Sequence, residues 1–241
     1  MKTASPSPAV LPTAVPRPGL QVGGLEKLSL VDWPGELSAV VFCQGCAWNC
    51  RYCHNPHLIP FAHRTDIAWE GVLAWLEKRR GLLDAVVFSG GEATYQVALP
   101  AALKEVRRLG FKTGLHTGGP YPKRMAEVLP LLDWVGFDYK APFDRYAPIT
   151  GIDQGRCAQE SFGMLLASGV AYEVRTTWHP SLLSGNDLEE MAQTLEEAGC
   201  REWVVQRFRP DGCVDEALCA VPTGQPPPAL LRPRALKITV R

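Results

Sequence analysis

The chain has 241 residues, 46% of them hydrophobic and 21% charged, and its 25 basic residues balance 25 acidic ones. This composition is ordinary for a globular protein, and the length suits one large domain or two small ones whose core needs no disulfide bonds. The zero net charge provides no long-range attraction to nucleic acid or to an anionic membrane, so neither is expected as a partner.

The N-terminal stretch MKTASPSPAVLPTAVPRPGL is rich in proline and alanine. A signal peptide needs an unbroken apolar segment, and here prolines interrupt it at Pro6, Pro8, Pro12, Pro16 and Pro18. No run of the sequence approaches the length of a membrane span. We therefore predict a flexible Pro/Ala-rich arm over residues 1–19 and a cytoplasmic protein.

Strand and helix patterns alternate through the rest of the chain. The predicted strands cover residues 38–42, 85–88, 111–116, 134–138, 171–177 and 203–206. The predicted helices cover residues 67–80, 98–109, 122–132, 158–167 and 187–198. Long crossovers between strands favour a parallel sheet with helices outside. A doubly wound open sheet and a partial barrel fit this α/β pattern equally well.

Polar or glycine-rich sequence follows each of the six predicted strands. These segments are residues 43–53, 90–92, 116–119, 138–140, 175–177 and 206–209. Because the carboxyl ends of parallel strands lie at one edge of a sheet, the segments are expected to form one site.

Four cysteines lie within the run CQGCAWNCRYCHN, at Cys43, Cys46, Cys50 and Cys53. A disulfide framework, a structural zinc site or an iron–sulfur cluster could each use them. Thiols stay reduced in the cytosol, which argues against disulfides. Two Cys-x-x-Cys pairs suit zinc, but only three residues separate them, whereas compact thiolate runs are typical of iron–sulfur clusters.

The spacing Cys46-x3-Cys50-x2-Cys53 resembles the signature of the radical S-adenosylmethionine (SAM) enzymes, and Tyr52 fits its aromatic position. The resemblance implies that these three thiolates bind a [4Fe–4S] cluster. Its fourth iron would take the amino and carboxylate groups of SAM. Cys43 is then a spare, apolar residue at the end of a strand.

The segment Gly90-Gly91-Glu92 resembles a second motif of that family. The resemblance implies that its backbone and carboxylate receive the methionine ammonium of SAM. Glycines allow a backbone to approach a ligand closely, and a carboxylate suits an ammonium. Ala93 stands where the family often has proline.

Longer segments, including LSLVDWPG, CHNP and FDYKAPFDRY, are similar to the activating proteins of anaerobic ribonucleoside-triphosphate reductase. These are glycyl-radical activases related to the pyruvate formate-lyase activating enzyme. The resemblance implies a partial (β/α)6 TIM-like barrel of the radical SAM type over residues 20–210, followed by a partly Pro-rich extension over 211–241. Residues 224–233 of that extension are expected to be poorly packed.

The implied activity is reductive cleavage of SAM and formation of a glycyl radical on the reductase. The implied partners are that reductase and a small electron-donor protein of the flavodoxin or ferredoxin type. Action on another glycyl-radical enzyme, a peptide or a small molecule stays open, as does a zinc-stabilised binding module.

Further site residues follow from the resemblance. Thr117 matches a threonine near the methionine end of SAM, and Asp138 and Lys140 match an Asp-x-Lys segment that follows the fourth strand. Arg175 and Arg209 could reach the carboxylate or ribose of SAM.

Other residues are interpreted more plainly. His116 replaces an aspartate that helps relatives to hold a monovalent cation, which leaves that cation site open. Trp48 is expected to shield the cluster. A structural function is expected for His54, Cys157, Cys200, Cys213 and Cys219.

Overall fold

The computed structural model describes residues 19–61 and 66–241, so the predicted arm lies, apart from Gly19, outside the described residues. The strands are β1 (Val22–Ser29), β2 (Ser38–Cys43), β3 (Ala85–Gly90), β4 (Lys112–Thr117), β5 (Trp134–Asp138), β6 (Ala171–Trp178), β7 (Glu202–Arg207) and β8 (Lys237–Val240). The helices are α1 (Trp69–Glu77), α2 (Leu99–Arg108), α3 (Pro122–Val128), α4 (Ala147–Thr150), α5 (Gly155–Ser168), α6 (Gly185–Glu197) and α7 (Glu216–Cys219).

The eight strands form one sheet in chain order, from β1 to β8. β1 is antiparallel to β2, and every later neighbouring pair is parallel. The six predicted strands are confirmed as β2 to β7, and the partial barrel is confirmed over the open doubly wound sheet. In this order all six carboxyl ends lie at the same edge of the barrel.

Packing explains why the central strands are so regular. The residues of β2 and β5 are almost all buried, as expected for parallel strands covered on both faces. Helix α2 buries Leu99, Leu103 and Val106 at helical spacing. Truncating one such side chain, for example Leu103→Ala, costs about 2–5 kcal/mol.

Two strands at the sheet edges were missed by the sequence analysis. β1 contains two glycines and a half-exposed polar stretch, so its pattern does not alternate clearly. β8 has only four residues and follows a Pro-rich stretch, and it is fixed by pairing Lys237 with Glu202 at the start of β7.

Most of residues 224–233 are exposed, but the stretch contacts the rest of the fold at several points. Leu230 is buried, and Arg232 and Arg234 both pair with Glu189 on α6. These contacts hold the Pro-rich stretch against α6. Among the described residues, no helix is both long and apolar enough to cross a membrane.

Candidate active site

A cavity of about 1110 Å³ opens at the carboxyl ends of the strands. It is lined by every residue that the sequence analysis assigned to the site: Cys46, Cys50, Tyr52, Cys53, Gly90, Gly91, Glu92, Thr117, Asp138, Lys140, Arg175 and Arg209. Cys43 is absent from the described lining and is fully buried. The segments after the strands thus form the cavity wall, as their positions in the sequence predict.

Backbone hydrogen bonds fix the loop after β2 that carries the three cysteines. The Cys46 amide donates to the Ile59 carbonyl at 3.1 Å, and the Arg51 amide donates to the Ile149 carbonyl at 3.0 Å. Ile149 belongs to α4, so a short helix far along the sequence supports the loop. All eight cysteines of the chain are free thiols.

Burial is the main influence on these thiols. It raises the pKa of Cys46 to about 12 and that of Cys50 to about 11, and it raises the pKa of Cys53 as well. The ammonium of Lys140 opposes the increase at all three cysteines. Each thiol is therefore protonated in the ligand-free protein, and a metal must displace its proton on binding.

The donor set suits a cluster better than a single ion. In the described part of the chain, no three His, Cys, Asp or Glu side chains converge to hold one metal ion, as a zinc site would require. A [4Fe–4S] cluster would take cysteine thiolates from one compact loop as its protein ligands. Cys46, Cys50 and Cys53, free and on one cavity wall, fit that group.

Glycines hold the end of β3 against the cysteine loop. Gly90 has a φ of 111°, and a Cβ there would overlap the backbone of Cys43. A Cβ at Gly91 would overlap the Gly45 carbonyl. The close approach lets the Glu92 amide donate to the Gly45 carbonyl at 2.8 Å. Glycine is needed at both positions for this contact.

Glu92 is a buried carboxylate with several neutral donors. Its Oε1 accepts from the hydroxyls of Thr94 and Thr117, at 2.5 and 2.8 Å, and its Oε2 accepts from the Gly118 amide at 3.1 Å. Burial raises the pKa of Glu92 although these hydrogen bonds oppose the increase. None of the Lys and Arg side chains that the structure describes pairs with it. A buried carboxylate without a cation suits a cationic ligand.

Lys140 projects across the cysteine loop. Its Nζ lies 3.2 Å from Asp138 Oδ2, 5.6 Å from the ring centre of Trp48 and 5.5 Å from that of Tyr52. Trp48 is fixed in turn, since its Nε1 donates to Gln154 Oε1 at 2.8 Å. Burial disfavours the ammonium, but Asp138 and other acidic neighbours outweigh that cost and raise the pKa of Lys140 well above its usual value.

Arg175 is engaged by the protein itself. Its Nε donates to Glu173 at 2.7 Å and its Nη2 to the Asp32 carbonyl at 3.0 Å. Its guanidinium also lies 5.0 Å from the ring centre of Trp134. The predicted contact with the carboxylate or ribose of SAM therefore competes with these partners, although Arg175 does line the cavity.

His116 belongs to the same network. Its Nε2 lies 2.8 Å from the Asp32 carbonyl and 3.0 Å from Arg175 Nη1. Burial, and then the charge of Arg175, lower the pKa of His116 to about 4, so the ring is neutral at physiological pH. The contact of the Asp32 carbonyl with His116 was not predicted from the sequence, in which the DWPG turn is the one feature that indicates it.

The C-terminal segment contacts the cysteine loop. The carbonyl of Arg209 lies 2.9 Å from His54 Nε2, and the Cys213 thiol donates to the Arg51 carbonyl at 3.3 Å. Arg51 also pairs with Asp215 at 2.8 Å. A structural function for His54 and Cys213, as predicted from the sequence, is consistent with these contacts.

Residues 40–198 match the family model described as the radical SAM superfamily. A protein of Methanocaldococcus jannaschii described as a glycyl-radical enzyme activating enzyme is 28% identical over 83% of this chain and 85% of its own length. The pyruvate formate-lyase-activating enzyme of Clostridium pasteurianum is 35% identical over 54% of this chain and 57% of its own length. The pyruvate formate-lyase 1-activating enzyme of Escherichia coli K12 is 25% identical over 80% of this chain and 88% of its own length.

Solved structures share the fold at low identity. Streptococcus suis SuiB bound to S-adenosylmethionine has a TM-score of 0.57 at 14% identity, and it covers 69% of this chain and 39% of SuiB. Native anSMEcpe with bound AdoMet has a TM-score of 0.56 at 12% identity, and the matched region covers 69% of this chain and 49% of the anSMEcpe chain. The chain thus spans less than half the length of these two proteins.

The family match covers well over half of the sequence, and the three cysteines of its signature lie together on one cavity wall. The chain is therefore an enzyme of the radical SAM superfamily, homologous to the activating enzymes of glycyl-radical enzymes.

Proposed function

We propose that this protein reductively cleaves SAM and generates a glycyl radical on an anaerobic ribonucleoside-triphosphate reductase. The proposal rests on one observation: a single cavity is lined both by three free cysteine thiols and by the buried carboxylate of Glu92. This carboxylate has no cationic partner in the described structure. The first set suits a cluster, and the second suits the ammonium of SAM. The similarity to glycyl-radical activating enzymes supports the choice of reaction.

Cys46, Cys50 and Cys53 would hold the [4Fe–4S] cluster as thiolates. When bound, the reduced cluster supplies one electron to the sulfonium of SAM, whose cleavage gives methionine and a 5′-deoxyadenosyl radical. The loop that carries the cysteines is anchored to α4 and to Ile59 before any ligand binds. This preorganisation reduces the cost of ordering the ligands.

Glu92 would orient SAM. Its two oxygens are already fixed by Thr94, Thr117 and Gly118, so the charge faces a defined direction. The glycines before it allow the backbone to approach the methionine end. Thr117 would then act by holding Glu92 as well as by touching SAM.

The remaining proposed cofactor contacts lie around the rest of the cavity. They come from Tyr52, Asp138, Lys140, Arg175 and Arg209. Lys140 is the best placed of these to reach the methionine carboxylate, because its ammonium already lies over the cysteine loop.

The shape of the cavity supports a macromolecular partner. Two aliphatic residues of its lining, Leu30 and Val31, are 65% and 75% exposed. A partner that inserts a polypeptide segment would cover them and exclude water from the radical. We further propose that a small flavodoxin- or ferredoxin-type protein supplies the electron.

A second candidate function is activation of a pyruvate formate-lyase type enzyme. It is favoured by the names of the C. pasteurianum and E. coli relatives. The two candidates share the SAM chemistry and differ only in the glycine that loses a hydrogen.

The deciding experiment is anaerobic incubation of the iron-loaded protein with SAM, a reductant and either a ribonucleoside-triphosphate reductase or a pyruvate formate-lyase. We expect the EPR doublet of a glycyl radical on the reductase. A doublet only on the lyase would favour the second candidate. A colourless protein that keeps one zinc after reconstitution with iron and sulfide would contradict both.

A further inference from the structure

The Lys140 ammonium is held beside the cysteine loop by a cage that the loop itself provides. The two rings of the cage come from Trp48 and Tyr52, and each ring is within 6 Å of Nζ. Trp48 lies between Cys46 and Cys50 in the sequence, and Tyr52 lies between Cys50 and Cys53. Aromatic faces attract a cation at this distance. The position of the charge is therefore tied to the loop that binds the metal.

Contacts with neighbouring residues hold both Trp48 and Lys140 in place. Trp48 is 2% exposed, donates its Nε1–H to Gln154, and packs edge-on against Tyr146 at 5.8 Å. Lys140 itself is only 8% exposed, and its backbone amide donates to the Tyr146 hydroxyl at 3.3 Å. A charge screened from water acts strongly on its neighbours.

Lys140 brings its ammonium to the cavity that the three cysteines line, and both rings over which it lies belong to the cysteine loop. Glu92 and Asp138 bring two carboxylates to the same cavity. The lysine and the two carboxylates therefore act on this site with opposite signs.

We propose that the caged Lys140 ammonium is an electrostatic device that raises the reduction potential of the cluster bound by Cys46, Cys50 and Cys53. The proposal rests on the cluster site proposed above and is independent of which glycyl-radical enzyme is the partner. Reduction adds one electron, taken from the donor protein or a chemical reductant, to a cluster that is already rich in negative charge. A nearby cation stabilises the reduced form more than the oxidised form, and the potential increases.

Asp138 has the opposite effect in this arrangement. Its carboxylate is 3.2 Å from the ammonium, so it both holds Lys140 and partly cancels the positive charge beside the cysteine loop. The opposing charges of Lys140 and Asp138 should together set the reduction potential of the cluster. This function is distinct from contact with SAM, because it operates before SAM binds.

The test is an anaerobic, EPR-monitored redox titration of the reconstituted protein without SAM. Iron and sulfide content is measured for each variant. For Lys140→Met we expect the equilibrium constant for one-electron reduction to fall at least about tenfold, which is a shift of about 59 mV to lower potential. Lys140→Arg should keep the wild-type potential, and Asp138→Asn should shift it upward. Removing the ring with Trp48→Leu should give a smaller downward shift.

Arg241→Met is the matched control, since it removes one positive charge from the same cavity, and this charge pairs with Glu173 rather than with Asp138 and the aromatic cage. Its potential should equal that of the wild type. Loaded Lys140→Met and Asp138→Asn variants that both keep the wild-type potential would overturn the inference and leave the cluster site intact. If Lys140→Met fails to assemble a cluster, the direction of the Asp138→Asn shift decides. A wild-type protein that binds no cluster would overturn the site and the inference together.

Discussion

The two walls of the cavity are built in different ways. The motif wall consists of the loop with Cys46, Cys50 and Cys53 and the segment Gly90–Glu92, all in short contiguous runs. The arginine wall is lined by Asp32, His116, Arg175 and Arg241, and Glu173 pairs with both arginines; these residues come from the turn after β1, from β4 and β6, and from the position after β8. In the first wall, the chemistry is local in sequence. In the second, one hydrogen bond joins residues 143 positions apart.

Under the proposed function, the motif wall would bind the cofactors, whereas the contacts of the arginine wall maintain the shape of the cavity. The motif wall offers three free thiols and a carboxylate that accepts hydrogen bonds from neutral donors but has no cationic partner among the described residues. The arginine wall satisfies its own charges, since Glu173 accepts from both Arg175 and Arg241. It also fixes the DWPG turn over the cavity by holding the Asp32 carbonyl.

The largest expected effect tests the motif wall. Cys46→Ala, Cys50→Ala and Cys53→Ala should each abolish SAM cleavage, because each removes one of three thiolates needed to hold the cluster. The measurement is 5′-deoxyadenosine formed with dithionite as reductant. Cys43→Ala is the matched control from the same run of sequence and should keep most of the activity. An equal loss in all four variants would refute the ligand assignment.

These contrasts also explain how much could be predicted from the sequence. The six parallel strands, the cavity edge and the motif wall were predicted because each depends on local pattern: apolar runs, cysteine spacing and glycine before an acid. β8 could not be found this way, since four residues carry little periodicity and its place depends on pairing with β7.

The partners of Arg175 were unpredictable for a related reason. The sequence places it at the end of β6, which correctly indicates the cavity. It does not indicate that the DWPG turn, on the other edge of the sheet, approaches closely enough to occupy the guanidinium. Curvature of the sheet into a partial barrel brings these residues together, and curvature is a property of the whole sheet.

The next largest effect is expected from a substitution that disrupts the arginine wall. Arg175→Met removes a buried guanidinium and should cost about 3–5 kcal/mol of the free energy of unfolding, because it leaves Glu173 and the Asp32 carbonyl short of a donor. Hydrogen exchange of residues 30–36 should become faster. Denaturant unfolding and exchange mass spectrometry measure these two changes.

Arg241→Met is the control for that variant, since it removes the other partner of Glu173. Its guanidinium is 44% exposed, so the expected loss is at most about 1 kcal/mol. Residues 30–36 should exchange as in the wild type. A loss as large as that of Arg175→Met would mean that Glu173, rather than the Asp32 contact, is what Arg175 supports.

A pH dependence comes from His116 in the same wall. Its pKa falls from 6.5 to about 4 on folding, so between these values the unfolded chain binds a proton that the folded protein does not. Stability from this group is therefore complete above pH 6.5 and is lost as the pH falls towards 4. Between pH 7.5 and 4.5 the cluster-free wild type should lose about 2–3 kcal/mol more than His116→Asn. Parallel pH profiles in denaturant unfolding would contradict the assignment.

The smallest expected effect concerns SAM binding at the motif wall. Glu92→Gln keeps the size of the side chain but removes its charge, so SAM binding to the cluster-loaded protein should weaken about 10- to 100-fold while the iron content is unchanged. Thr94→Val removes one hydrogen bond and keeps the carboxylate, and it should weaken binding less.

Stability distinguishes a binding function of Glu92 from a structural one. Burial raises the pKa of Glu92 in the folded protein, so the ligand-free wild type loses stability as the pH rises through that value. Glu92→Gln removes this loss, and above neutral pH the ligand-free variant should unfold no more easily than the wild type. A variant that is less stable at every pH would mean that Glu92 holds the fold. A variant that is stable but binds SAM weakly would mean that the carboxylate is kept, at a cost to the fold, for its ligand.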